Sequence, residues 1–261
     1  MPLSLRLSAQ QYAPGRQQPA HYHDDIHISI VLRGFVAESV GGATEEAGAL
    51  SVVVKDRGVR HANVFGAHGA TIAQLAIPNT GVSDLLDDPK RLVEWRWCHS
   101  LSAVAPFLRL VDQYRGTAGP IPPDDADFLD ILAALSSRRE DQRHDAPPKW
   151  LSDTLAWLRS EWQPAMRVAD VSAYAGVHPV YLARCVRRWY GHSVSDELRR
   201  LRLRAAAQNV AFRVGDLSQA ALDNGYADQA HLCRDFRRAT GRTPSDYRAM
   251  IRGFSGSVPT T

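Results

Sequence analysis

The chain has 261 residues, 44% of them hydrophobic, and a net charge of +3. This length suits two ordinary domains, and the apolar content argues against a disordered chain. No apolar run approaches the ~18–20 residues of a membrane-spanning helix, and the first residues lack the apolar stretch of a secretory signal. The three cysteines are widely spaced, which indicates reduced thiols and excludes a disulfide framework or a cysteine zinc site. We therefore expect a cytoplasmic protein with no membrane partner.

Residues 1–80 have the pattern of β structure. Short segments rich in β-branched residues alternate with glycine-containing turns, a spacing that predicts a sandwich or small barrel. After about residue 82 the pattern becomes helical or mixed, up to Tyr114. An amphipathic helix is then expected over 124–139, either packing within the first domain or forming a dimer contact. The predicted strands are His27–Leu32, Gly34–Val40, Leu50–Val54 and Thr71–Ile77.

A polar segment with a double proline, QRHDAPP at 142–148, predicts a domain boundary. We expect a first domain over 1–145, a helical domain over 146–253 and a flexible tail over 254–261. Charge follows the same division, because residues 165–253 contain 15 arginines, no lysine and 8 acidic residues, whereas the rest of the chain has a net charge of −4. A basic module fused to a mildly acidic one indicates a polyanionic partner for the second domain only.

The second domain contains an internal repeat. A short helix, a glycine turn and a longer basic helix occur in Val168–Gly191 and again in Leu217–Gly241. In each copy an arginine, Arg184 or Arg234, follows a core leucine by two positions and faces outward, as in helix-turn-helix units that contact DNA. Helices are predicted over Trp150–Trp162, Val168–Ala175, Pro179–Tyr190, Val194–Phe212, Leu217–Asp223 and Asp228–Thr240, with a last helix beginning at Thr243.

The helix between the two copies is the longest one predicted. At ~1.5 Å per residue its ~19–20 residues span roughly 30 Å, close to the ~34 Å of one DNA turn. Two recognition helices held at this distance would enter successive major-groove segments on one face of DNA. The same helix carries four further arginines as candidate phosphate contacts: Arg199, Arg200, Arg202 and Arg204.

The segment Ala220–Arg248, AALDNGYADQAHLCRDFRRATGRTPSDYR, resembles the signature of the AraC/XylS family of bacterial regulators. The resemblance covers about 150–253 and implies two helix-turn-helix units joined by a long helix. The departures are His178 in place of a capping serine, and Ala230 and Leu232 in place of serine and phenylalanine. The resemblance implies two sets of DNA-contacting residues. The base-facing positions are Pro179, Val180, Ala183, Arg184, Asp228, Gln229, His231, Cys233 and Arg234. The phosphate-facing positions are Arg187, Arg188, Arg237 and Arg238.

The family's usual sensor is a cupin-like β-barrel, and the first domain resembles one. The first cupin signature matches Gly15, His21, His23, His27 and Gly34 in spacing, with histidine replacing glutamate at position 27. The second matches only in part, at Gly58 and His61. The resemblance implies that His21, His23, His27 and His61 hold a divalent transition metal such as zinc, nickel or iron, all of which imidazole suits. A metal-free ligand pocket and a barrel with no small-molecule role are the alternatives.

The sequence thus predicts an α+β protein of two domains, a cupin-like β-barrel with accessory helices and an all-α double helix-turn-helix domain with a long joining helix. The expected function is sequence-specific binding of double-stranded DNA as a homodimeric transcriptional regulator that responds to a small molecule or metal, with RNA polymerase as a candidate partner. A cupin metalloenzyme with a helical appendage, or a DNA-binding protein whose barrel only dimerises, are the competing interpretations. The sequence has no catalytic triad, phosphate loop or CxxC motif, so no enzyme is expected.

Overall fold

The computed structural model describes residues 5–78, 95–98, 101–115, 119–136, 147–212 and 216–254. Within these ranges seven strands precede nine helices. No described helix is both long and apolar enough to cross a membrane. The strands are β1 (Arg6–Tyr12), β2 (Gln17–His21), β3 (Ile26–Val40), β4 (Ala43–Gly48), β5 (Val52–Lys55), β6 (His61–Ile77) and β7 (Arg96–Cys98).

The strands form one antiparallel sheet in the order β1-β6-β3-β5-β7, with β2 paired to β6 and β4 to β3. The predicted closed barrel is wrong for the described strands, because β1 and β7 end the order and do not pair with each other. The two strands predicted over 27–40 are one continuous strand. Residues Arg96–Cys98, predicted as helical or mixed, form a strand beside β5, while 79–94 lie outside the described residues.

Strands β3 and β6 bend together at a pair of register shifts near Gly34. Gly34 has a φ of +86°, and a Cβ atom at this position would lie 1.9 Å from the carbonyl oxygen of Gly69. Only glycine permits this backbone conformation and this close approach. Ser29 before the bend and Glu38 after it line the same cavity. The bend therefore brings the two halves of the sheet to face each other.

The two faces of the sheet have different roles. Side chains alternate along a strand, so Ile28 and Ile30 of β3 lie in an apolar core covered by helices, whereas Ser29 points into the cavity on the other face. We call these the helix face and the pocket face. Lys55 and Gln74 also lie on the pocket face.

Several helices have the bounds that local signals predict. Those over Val168–Ala175, Pro179–Tyr190 and Leu217–Asp223 begin and end at the predicted residues, and Val194–Phe212 begins at its predicted residue. The helix predicted over 124–139 is described over Ala126–Ser136, and 137–139 lie outside the described residues. The predicted boundary at 142–146 and the tail beyond 254 lie outside the described residues. The helices are α1 (Val104–Tyr114), α2 (Ala126–Ser136), α3 (Lys149–Ser160), α4 (Val168–Ala175), α5 (Pro179–Tyr190), α6 (Val194–Phe212), α7 (Leu217–Asp223), α8 (Gln229–Thr240) and α9 (Pro244–Arg252).

The second helix-turn-helix unit (α7 and α8) shares its apolar core with the sheet, whereas the first unit (α4 and α5) has a core of its own with α3. Direct bonds reinforce the shared core. The Tyr247 hydroxyl donates to the Leu32 carbonyl, and the Gly34 amide donates to Oε1 of Gln208 at 2.9 Å. The Arg242 guanidinium pairs with Asp112 of α1. The sheet and the second unit are thus packed as one body.

Candidate functional site

Each helix-turn-helix unit has a left-handed glycine in its turn and a capped second helix. Gly176 and Gly225 have φ values of +66° and +75°, which favour glycine. His178 replaces the expected capping serine but keeps its role, because its Nδ1 accepts from the Val180 amide at 3.3 Å. Asp228 caps α8 by accepting from the His231 amide at 2.6 Å. Helix α5 therefore begins at the predicted Pro179, and α8 begins at Gln229, one residue after the predicted Asp228, which is its cap.

The predicted DNA-contacting side chains lie on the outer faces of α5 and α8. All of them are exposed except Cys233, which is half-buried. The opposite faces are anchored by Leu182 in α5 and by Leu232 and Phe236 in α8, all fully buried. The exposed set consists of Pro179, Val180, Ala183, Arg184, Arg187, Arg188, Asp228, Gln229, His231, Arg234, Arg237 and Arg238.

The arginines of this set are available for an outside partner. Within the described part of the chain, none of the six forms a salt bridge with an acidic side chain. Three other members have partners inside the unit. Asp228 is the helix cap, Gln229 accepts from the Ser218 hydroxyl at 3.0 Å, and the His231 ring lies edge-on to Tyr226 at 5.1 Å. The geometry therefore favours the arginines as the main contacts.

The arginines of the joining helix α6 hold the protein together. Arg199 donates to Asp235 of α8 at 2.6 Å, Arg200 donates to Glu197 at 3.1 Å, and the Arg202 guanidinium lies 5.8 Å from the Tyr226 ring centre. Arg199 and Arg200 are thus paired within the protein, which makes them weaker candidates for phosphate contacts than the arginines of α5 and α8.

Sequence reasoning missed a buried charge network in the first unit. Nε of Arg159 on α3 donates to Glu197 of α6 at 2.9 Å, and only 3% of the Glu197 side chain is exposed. Burial acts to raise the pKa of Glu197, but the guanidiniums of Arg159 and Arg200, together with His192, outweigh it and hold the pKa at about 2. This carboxylate fixes α3 to α6 at neutral pH.

We expect this network to make the first unit sensitive to acid. The ordinary pKa of about 4.5 applies in the unfolded chain, so the unfolded state takes up the proton first. The stabilisation is present above pH 4.5 and is lost as the pH falls towards 2, by up to roughly 3 kcal/mol. Urea unfolding between pH 6 and 3, followed by circular dichroism, should show a shallower pH slope in Glu197→Gln than in the wild type. Equal slopes would contradict the assignment.

On the pocket face, three histidines meet. The nearest ring nitrogens of His21, His23 and His61 all lie within 4.8 Å of one another. His21 ends β2 and pairs across to His61, the first residue of β6, while His23 lies in the loop between β2 and β3. The fourth predicted ligand, His27, has its ring tilted by 42° against that of His23, with ring centres 4.0 Å apart, and has Gln74 Nε2 at 2.8 Å from its Nδ1. It lies beside the cluster.

The rings of His21 and His61 are each oriented by a hydrogen bond to a backbone carbonyl. Nδ1 of His21 lies 2.8 Å from the Pro19 carbonyl, and Nδ1 of His61 lies 2.9 Å from the Val59 carbonyl. A carbonyl only accepts, so Nδ1 donates, and in the neutral ring Nε2 is then the nitrogen with the free lone pair. Nε2 of His61 is buried without a hydrogen-bond partner among the described residues. Metal-binding histidines are oriented in this way, by donating their other N–H to a carbonyl or carboxylate.

The environment keeps His23 and His27 uncharged. Burial lowers the pKa of His23 to about 3, with the positive charges of His27 and Lys55 adding to the effect. Burial and Lys55 likewise lower the pKa of His27 to about 4. Both rings are therefore neutral at pH 7, which is the form that binds metals.

His21, His23 and His61 line a partly open cavity of about 140 Å³ on the pocket face of the sheet. A buried ion pair crosses it, with Nζ of Lys55 donating to Glu38 at 2.8 Å and Nε1 of Trp95 donating to the other carboxylate oxygen at 2.6 Å. Ser29 and Trp97 also line it. A weak signal for the ion pair exists in the sequence, because a glutamate inside GFVAESV and a lysine ending VVVK are unusual in apolar strands.

The sequence matches to known proteins include the helical C-terminal part of the chain. Residues 171–250 match a family model described as a helix-turn-helix domain. Regulatory protein SoxS of Escherichia coli strain K12 is 32% identical over 103 residues, which are 40% of this chain and 96% of SoxS. Probable transcription factor PqrA of Proteus vulgaris is 24% identical over 113 residues, 42% of this chain and 88% of PqrA.

Among similar solved structures, one aligns with nearly the whole chain and another with less than half of it. ToxT from Vibrio cholerae aligns over 95% of this chain and 98% of its own, with a TM-score of 0.40 and 12% identity. The DNA-binding domain of AdpA, solved in complex with a target DNA, aligns over 43% of this chain and 100% of its own, with a TM-score of 0.38 and 22% identity.

Proposed function

Because this chain belongs to the AraC/XylS family of transcriptional regulators, we propose that its sheet domain controls DNA binding through a divalent transition metal held at His21, His23 and His61. The chain is a transcriptional regulator with an AraC-type DNA-binding domain. The observation that carries the proposal for the sheet is the buried, unpartnered Nε2 of His61, beside two further imidazoles. Homodimerisation, contact with RNA polymerase and a cytoplasmic location belong to the same proposal. Enzymatic turnover has no part in it.

DNA binding is assigned to the outer faces of α5 and α8. The 19 residues of α6 separate the two units by roughly 30 Å, which suits successive major-groove segments on one DNA face. Arg184 and Arg234 occupy matching positions and would donate to base edges. The later arginines, Arg187 and Arg237 among them, would position the helices on phosphates.

The residues of the histidine cluster fit a transition metal. Neutral imidazoles suit zinc, nickel and iron, and three of them leave a position for water or another ligand. A bound metal would supply fixed positive charge and would connect β2, the turn after it and β6. Loss of the metal would loosen these segments.

Strand β3 links the cluster to the second helix-turn-helix unit. His27 and Ser29 lie on its pocket face, while Leu32 accepts from Tyr247 and Gly34 donates to Gln208 a few residues later. A change of position in β3 would therefore reach α6 and α9 without a flexible linker. We propose this strand as the route by which the pocket alters the placement of α8.

The test is the metal content of untagged full-length protein purified without chelator. We expect close to one metal ion per chain in the wild type and in His68→Gln, an exposed histidine outside the cluster, and its loss in His61→Gln. Gel shifts before and after chelation should then differ for the wild type and agree for His61→Gln. If the wild type stays metal-free after loading with zinc or nickel, the proposal for the sheet domain is wrong.

A further inference from the structure

The cavity beside the histidines has hydrogen-bonding groups that the described residues do not satisfy. Ser29 Oγ and Trp97 Nε1 are buried without a partner, and both line the cavity. They belong to one row across the sheet, since Trp97 pairs with Val53 and Val53 pairs with Ser29. An unsatisfied buried donor costs about 1–3 kcal/mol. These two donors therefore favour a ligand with oxygen atoms that accept hydrogen bonds.

The other walls of the cavity are apolar. Val36, Val53 and Ile72 line it together with Phe65, whose ring stacks on Tyr12 with centres 4.0 Å apart. A cavity of about 150 Å³ accommodates benzene, so about 140 Å³ suits a guest of roughly six to nine non-hydrogen atoms. The guest should combine acceptor oxygens with a compact apolar body.

The net charge of the site determines whether a neutral ligand or an anion is favoured. Lys55 and Glu38 are paired within the cavity and cancel each other, and imidazoles bind metals in their neutral form. A divalent ion at the histidines would therefore leave an uncompensated positive charge in a partly buried site. Such a charge is costly unless an opposite charge accompanies it. A carboxylate supplies that charge and also two acceptor oxygens.

Resting on the proposed metal site, we infer that this cavity binds a small monocarboxylate with a compact apolar body when the metal is present. The carboxylate accepts from Ser29 and Trp97, and the apolar body packs against Phe65 and Ile72. This ligand is the signal that the regulator senses.

Two serines allow a matched test. Ser29 and Ser51 are both buried with an unpartnered hydroxyl, but only Ser29 lines the cavity. We would titrate 4-methylpentanoate, and the neutral 4-methylpentanamide, into zinc-loaded full-length protein by calorimetry. We expect the carboxylate to bind the wild type and Ser51→Ala equally, and to bind Ser29→Ala and Trp97→Phe about five- to tenfold more weakly with zinc content unchanged. The amide and the chelated protein should each show at least tenfold weaker binding.

Failure of this inference and failure of the metal site give different results. Zinc bound at one per chain with no carboxylate binding, or with carboxylate and amide binding alike, overturns the inference and leaves the metal site standing. Equal effects of Ser29→Ala and Ser51→Ala overturn the assigned contacts. No zinc in the wild type overturns both.

Discussion

Replacing Arg184 and Arg234 together with alanine is expected to weaken binding of a specific DNA duplex by at least about thirtyfold. Both side chains are exposed on helices whose opposite faces are fixed by buried Leu182 and Leu232, so the substitutions should leave the fold intact. A bidentate arginine contact to a base contributes about 1–3 kcal/mol, and two distant contacts add. Fluorescence anisotropy at fixed salt, with a duplex selected from a random library, measures the loss.

The control removes the same charge elsewhere. Arg57 and Arg60 are exposed in the sheet domain, and Arg57→Ala/Arg60→Ala should change the affinity by no more than about threefold through long-range charge alone. Arg187→Ala/Arg237→Ala should instead weaken specific and unrelated duplexes alike and reduce the salt slope by about one per lost contact. If the Arg184/Arg234 variant binds as tightly as the control, α5 and α8 do not contact bases as proposed.

The helix-turn-helix units were predictable because their signals are local. A left-handed glycine ends α4 and another ends α5, proline opens α5, and capping side chains lie one residue before α7 and α8. Each of these signals acts within a few residues. The sequence therefore predicted the bounds of these helices.

The sheet was predicted less well because its strands depend on distant partners. Strands β1 and β4, RLSAQQY and ATEEAG, are half exposed and lack the apolar runs that mark a buried strand, so sequence reasoning missed them. Both are strands because each pairs with one of the two long strands, β6 and β3. The position of the bend in β3 and β6 also depends on strand pairing. The sequence therefore predicted a closed barrel where the structure has a bent, open sheet.

The two candidate sites show the same division. The resemblance to the cupin signature implied a cluster of four histidines, and three of them meet. It did not predict the Glu38–Lys55 pair or the Trp95 indole that donates to Glu38, 57 residues away in sequence. Likewise, the sequence did not predict that Arg199 pairs with Asp235, 36 residues away.

The largest stability effect we expect is that of Gly34→Ala, which should prevent the sheet domain from folding. The new Cβ would lie 1.9 Å from the Gly69 carbonyl oxygen and 2.7 Å from the Ala70 Cα, both backbone atoms, at a φ of +86°. Neither neighbour can move without disturbing the pairing of β3 with β6. Losses of more than about 4 kcal/mol are exceptional and come from strain of this kind. Thermal unfolding by circular dichroism should show no cooperative transition.

Gly58→Ala separates the steric effect from the backbone effect. Gly58 also has a positive φ, +72°, but a Cβ there would meet nothing within 4 Å, so only the left-handed conformation is penalised, by about 1–2 kcal/mol. We expect this variant to unfold cooperatively at a modestly lower temperature and to keep its metal and DNA binding. If Gly34→Ala behaves in the same way, the bend can relax. In that case the close approach of β3 to β6 does not keep Ser29 and Glu38 beside the same cavity. The Lys55–Glu38 ion pair would then determine the shape of the pocket.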